Sequence, residues 1–180
     1  MAGKDRHPMK KILCLCGCLF AAAIFAADEA DPAAIIKTGQ TAPEFTVTNL
    51  DGQSFDLASA RGKVVVIDFF ATWCPPCRAE LPQLQAQVWN RFQGTNFVLL
   101  AIDRGEAGDV VRNFQKKNAL PFPIALDPQN ETYLKFATNY IPRTYVINAQ
   151  GVVAFQLLGY DETNFFKLPA AVQHELEQAR

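Results

Sequence analysis

The stretch KVVVIDFFATWCPPC, residues 63–77, decides how this chain is read. Lys63 to Ala71 is an apolar run rich in β-branched residues, interrupted by Asp68. Such a run suits a central strand buried on both faces of a sheet. Beyond it, Pro75 to Phe92 carries Leu81, Leu84, Val88 and Phe92 at helical spacing, and Pro82 predicts a kink in that helix. Cys74 and Cys77 therefore stand just after the strongest strand and at the front of a helix.

That position has chemical consequences. A helix N-terminus gathers unpaired N–H groups and the positive end of the helix dipole, and both stabilise a thiolate. Cys74 is the expected nucleophile, with a lowered pKa. Cys77, three residues on, can reach back to resolve a mixed disulfide. Pro75 and Pro76 between them withdraw backbone donors and stiffen the turn. As a structural staple the pair closes too small a loop to stabilise a domain much. A C-x-x-C pair also serves zinc, but a zinc site needs about four ligands. No cysteine follows Cys77, and the only histidines are His7, in the N-terminal segment, and His174, in the last helix. The residues favour redox chemistry.

Outward from this centre the chain alternates strands and helices. Phe45 and Val47, then Asp51-Gly52, then Phe55 and Leu57 predict two short strands around a turn. Asn96 to Asp103 predicts a second buried strand, and Asp109 opens a helix carrying Val110, Val111 and Phe114. A short strand follows at Phe122 to Leu126, then a helix with Tyr133, Leu134, Phe136 and Ala137. Thr144 to Asn148 and Val152 to Leu158 read as a hairpin, and Pro169 to Arg180 as a closing helix. The expected class is α/β: a central mixed sheet flanked by helices on both faces, with an N-terminal β-hairpin.

Lys and Arg total 17 against 18 Asp and Glu, with no basic block, which argues against nucleic acid as a partner. Lys4, Arg6, His7, Lys10 and Lys11 precede an uncharged run from Ile12 to Ala27, and Asp28, Glu29 and Asp31 follow it. This is the pattern of a bacterial export signal, and the run is shorter than the roughly 20 residues of a membrane span. Residues 1–27 are read as a signal peptide or N-terminal membrane anchor, 28–38 as a linker and 39–180 as one domain. Cleavage after Ala27 or Ala26 puts Phe25 or Ile24 where a small residue is preferred, so retention as an anchor stays open. The apolar stretch before Cys18 is too short for a lipoprotein signal.

KVVVIDFFATWCPPC resembles the active-site strand and turn of the thioredoxin superfamily. The opening from Gly39 to Thr46, Leu50-Asp51-Gly52 and Arg61-Gly62-Lys63 resemble its TlpA/ResA-like branch, of AhpC/TSA-redoxin type. Ala101 to Asp127 resembles that branch's central insertion into the basic fold. The resemblance implies a thioredoxin-like fold and several residue roles. Asp68 matches the buried acid by which thioredoxins relay a proton to the resolving cysteine, where this branch often has asparagine. Glu80 matches a glutamate lining the site in ResA-like proteins, or is an exposed helix residue. Ile141-Pro142 matches the cis-proline that faces the disulfide and leaves the backbone of residue 141 to pair with a substrate strand. Arg143, where many relatives have threonine, either adds positive charge near Cys74 or is solvated. Trp73 is expected to shield the disulfide, and with Pro75, Pro76, Ile141, Pro142 and Arg143 it makes up the expected substrate-binding set. No metal and no cofactor beyond the redox-active disulfide are implied.

The function expected on this resemblance is an exported, periplasmic thiol–disulfide oxidoreductase that reduces protein disulfides. Cytochrome c maturation, with apocytochrome c as substrate, and disulfide repair are the candidate tasks. An inner-membrane electron donor of DsbD/CcdA type would re-reduce the pair, and the membrane is touched only through the N-terminal segment if it is uncleaved. A peroxiredoxin-type peroxidase is the alternative, but it needs a proline and a threonine upstream of its cysteine. Here Thr72 lies only two before Cys74 and no proline lies within Val64 to Trp73. A Sco-like metal-binding assembly factor pairs C-x-x-x-C with a distant histidine, and neither feature is present.

Overall fold

The computed structural model describes residues 31–179. The export segment and residues 28–30 of the expected linker lie outside the described residues. Strands β1 (Thr46–Asn49), β2 (Ser54–Asp56), β3 (Val64–Phe70), β4 (Phe97–Arg104), β5 (Ile124–Asp127), β6 (Arg143–Ile147) and β7 (Val153–Leu158) form one sheet in the order β2-β1-β5-β4-β3-β6-β7. Strand β3 is parallel to β4 and antiparallel to β6. Every residue of β3 is buried, because helices cover both faces of the strand.

Alternation along β3 builds two cores. Val64, Val66 and Phe70 pack with Cys77, Leu81, Leu84 and Val88, and with Leu168 and Val172. Val65, Ile67 and Phe69 pack on the other face with Phe45, Tyr133, Phe136 and Tyr145. Helix α1 (Pro75–Gln83) starts on Pro75, whose missing N–H is harmless at a first helical position. Pro82 withdraws an interior donor, and the helix continues as a π turn over Leu84–Trp89 and a last turn, α2 (Asn90–Phe92). Helices α3 (Gly108–Lys117), α4 (Tyr133–Phe136), α5 (Glu162–Phe165) and α6 (Lys167–Gln178) complete the two layers.

Val111 and Phe136 fill the inward positions of their helices, and Val110 and Leu134 face solvent. Helix α5, capped by the Asp161 side chain accepting from the Thr163 amide, was not legible in the sequence. Residues 31–38 of the expected linker are not a free tether. Ala33 is buried, the Ile35 and Ile36 amides donate to the Phe136 carbonyl at 2.9 and 3.2 Å, and the Thr138 amide donates to the Ala33 carbonyl at 2.8 Å. This Ala-rich segment is small enough to lie flat on the domain and satisfy its backbone there.

Candidate active site

Strand β3 ends at Phe70, and the turn through Thr72 delivers Cys74 to the N-cap position of α1. Cys74 and Cys77 form a disulfide with Cα atoms 5.3 Å apart. The Cys77 amide donates to Cys74 Sγ at 3.3 Å, so a helix N-terminal N–H meets the sulfur that becomes the thiolate on reduction. Cys74 retains 3% of its surface in contact with solvent and Cys77 none. Of the two sulfurs, Cys74 is therefore the one that an incoming disulfide can reach. Trp73 is 66% exposed beside the disulfide, and Pro75 and Pro76 are exposed as well. Trp73 thus lies at the surface next to Cys74 rather than in the core.

Ile141–Pro142 is a cis peptide bond, and the Ile141 carbonyl oxygen lies 3.8 Å from Cys74 Sγ. Pro142 is buried and its carbonyl accepts from the Gly159 amide at 2.9 Å. The backbone on either side of the cis bond is thus fixed directly opposite the disulfide.

Behind the cysteines stand two carboxyl groups with no solvent exposure, Asp68 on β3 and Glu80 on α1. Thr144 of β6, paired in register with Asp68, joins them. Its Oγ1 lies 2.9 Å from Glu80 Oε1 and 3.4 Å from Asp68 Oδ1. One hydroxyl proton cannot serve both carboxyl groups, and Asp68 Oδ2 and Glu80 Oε2 have no hydrogen-bond partner among the described residues. Burial pushes the Asp68 carboxyl up to about 7, against the opposing pull of the Thr144 hydrogen bond. Burial, and next the charge of Asp68, push Glu80 well above the ordinary range. Glu80 is therefore a buried carboxyl group and not an exposed helix residue. Sequence reasoning missed Thr144, although its position two residues after Pro142 puts it on the face of β6 that meets α1.

Sequence reasoning also missed Glu106. Glu106 accepts the Thr72 amide at 2.6 Å and the Thr72 hydroxyl at 2.7 Å, pinning the turn two residues before Cys74. The Glu106 amide in turn donates to Asp103 Oδ1 at 3.1 Å. Burial, then the hydrogen bond and charge of Glu106, push Asp103 up to about 8.

Arg143 is corrected. It is 1% exposed, so it is neither solvated nor open to a substrate. Its side chain leaves β6 on the face opposite Thr144, and its guanidinium binds Asp31 Oδ2 at 2.5 Å and the Asn139 carbonyl at 3.1 Å. The Asp31 carboxylate neutralises that charge.

Comparison with known proteins agrees with this geometry. The AhpC/TSA family profile matches residues 38–156. The chain is 30% identical over 148 residues to the thiol-disulfide oxidoreductase ResA of Bacillus subtilis (strain 168), covering 82% of this chain and 79% of that one. The solution structure of a candidate protein disulfide isomerase from Bacteroides thetaiotaomicron superposes with a TM-score of 0.78 at 33% identity, covering 81% and 93% of the two chains. A thioredoxin-family thiol:disulfide interchange protein of Chlorobium tepidum TLS gives 0.66 at 30% identity, covering 79% and 99%. With its cysteine pair at the front of a helix and relatives of this kind, the chain belongs to the AhpC/TSA family and is a thiol–disulfide oxidoreductase of thioredoxin fold.

Proposed function

We propose that this chain is an exported reductant of protein disulfides, acting in the periplasm. The observation that carries the reading is the Cys77 amide aimed at Cys74 Sγ, with only Cys74 reaching the surface. In the reduced protein the Cys74 thiolate attacks one sulfur of a substrate disulfide. That S–S bond breaks, a Cys74–substrate disulfide forms, and the departing sulfur takes up a proton. The Cys77 thiol then gives its proton to the Asp68–Glu80 pair and attacks Cys74 Sγ. The internal disulfide closes and the second substrate sulfur leaves, is protonated, and completes a two-electron, two-proton reduction. A dithiol donor of DsbD/CcdA type at the inner membrane restores the pair by the reverse exchange.

Residues 12–27 supply the export signal or anchor on the sequence reading alone, and the CxxC of apocytochrome c, or mispaired disulfides awaiting repair, are the substrates proposed. The test is a redox titration of Cys74–Cys77 with an insulin-reduction assay beside it. A potential near that of thioredoxin, about −270 mV, is expected; one near about −120 mV, the range of a strong oxidase, overturns the reductase direction.

A further inference from the structure

Arg143 is a buried cation one residue beyond the cis-proline, and its one carboxylate partner among the described residues, Asp31, comes from their N-terminal end. Asp31 Oδ2 lies 2.5 Å from Arg143 Nη1, and Nη2 donates to the Asn139 carbonyl. Burial alone would raise the Asp31 carboxyl, but the hydrogen bonds from Arg143 and the Ala33 amide outweigh it and hold Asp31 below the ordinary range.

The strap that carries Asp31 touches the residues leading into the substrate loop. Ala34 forms an antiparallel bridge with Ala137, Ile35 and Ile36 donate to the Phe136 carbonyl, and the Thr138 amide and hydroxyl both donate to the Ala33 carbonyl. From there the chain runs through Asn139 and Tyr140 to Ile141 and Pro142. Tyr140 has φ +69°, a left-handed conformation that a tyrosine keeps only where its surroundings impose it. Those surroundings are the Tyr133 hydroxyl, which donates to the Tyr140 carbonyl at 2.9 Å, and the Arg143 fork one residue to either side of the Tyr140–Pro142 segment.

We propose that Asp31 is a positioning residue: by pairing with Arg143 it locks the Ile141–Pro142 loop in the shape that receives a substrate polypeptide. This rests on the reading that the loop pairs with the substrate chain. Without the carboxylate, the guanidinium is left charged and unpaired inside the protein, and the cheapest relief is to open the loop and hydrate it. A polypeptide disulfide, which must lie along Ile141, then binds poorly. A small disulfide needs only the two cysteines and is unaffected. Removing both charges removes the reason to open.

The experiment compares the full chain with D31N and D31A/R143T, measuring kcat and KM for insulin and, separately, for cystamine. D31N is expected to raise KM for insulin about tenfold and to leave cystamine turnover within about twofold, while D31A/R143T returns the insulin KM to within about threefold of the parent. Should D31N not fold cooperatively on heating, D31E keeps the charge one methylene out of place and is expected to raise the insulin KM about threefold, again sparing cystamine. An unchanged insulin KM, or an equal loss on both substrates, overturns the positioning role. A parent protein that turns over neither substrate sinks the oxidoreductase reading instead, so the two failures are distinguishable.

Discussion

Replacing Asp68 with asparagine tests whether the buried carboxyl group is held protonated. In the unfolded chain this carboxyl titrates near its ordinary 3.8, whereas burial pushes it up to about 7 in the fold. Between those values the unfolded state has released a proton that the folded state still holds. The unfolded state then binds fewer protons, so stability falls as pH rises from about 4 to about 7 and is level above that. At about 1.36 kcal/mol per tenfold, the displacement corresponds to about 4 kcal/mol at pH 8. Asparagine keeps an oxygen for Thr144 and has nothing to ionise. For a domain of this size about 1 kcal/mol moves the melting temperature by about 2–4 °C. D68N should therefore melt about 10 °C above the parent at pH 8 and level with it at pH 4, read by circular dichroism on the oxidised protein. Equal melting temperatures at pH 8, or the same difference at both pH values, would refute the argument, because the gain must come from titration and not from packing.

Three other perturbations have defined outcomes. Cys77→Ala should trap a mixed disulfide with substrate at Cys74, visible on a non-reducing gel and mapped by mass spectrometry, whereas Cys74→Ala should trap none. Glu106→Ala leaves the half-buried amide and hydroxyl of Thr72 without their charged acceptor and should destabilise by about 2 kcal/mol in urea titration, with Glu106→Gln recovering about half. Leu84, fully buried on the π turn between β3 and α6, should lose about 2–5 kcal/mol on substitution by alanine; a change within about 0.5 kcal/mol would show that this core is not packed as described.

The redox centre was legible because its signals are local. A β-branched run, a C-x-x-C pair and two prolines fall within fifteen consecutive positions, and strand, turn and helix follow from neighbours in sequence. Asp68 and Glu80 stood out by their spacing from the cysteines on the family resemblance. What joins them did not, because Thr144 lies 64 residues from Glu80 and meets it only once β6 pairs with β3. Glu106 was hidden for the same reason, 34 residues from Thr72. Arg143 is buried because strand alternation, not charge, decides where its side chain goes: Thr144 takes the α1 face and leaves Arg143 the other. The strap reads as a linker because its composition is polar and Ala-rich, and only the tertiary fold reveals that its backbone groups are paired.

Cys74 at the front of α1 is expected to ionise easily while Cys77 stays shielded. The pH dependence of iodoacetamide alkylation of the reduced protein, with the modified peptide assigned by mass spectrometry, reads both properties at once. The Cys74 peptide should react first, with half-maximal rate well below the ordinary thiol value of about 8.5. A midpoint at or above that value, or faster reaction at Cys77, would contradict it.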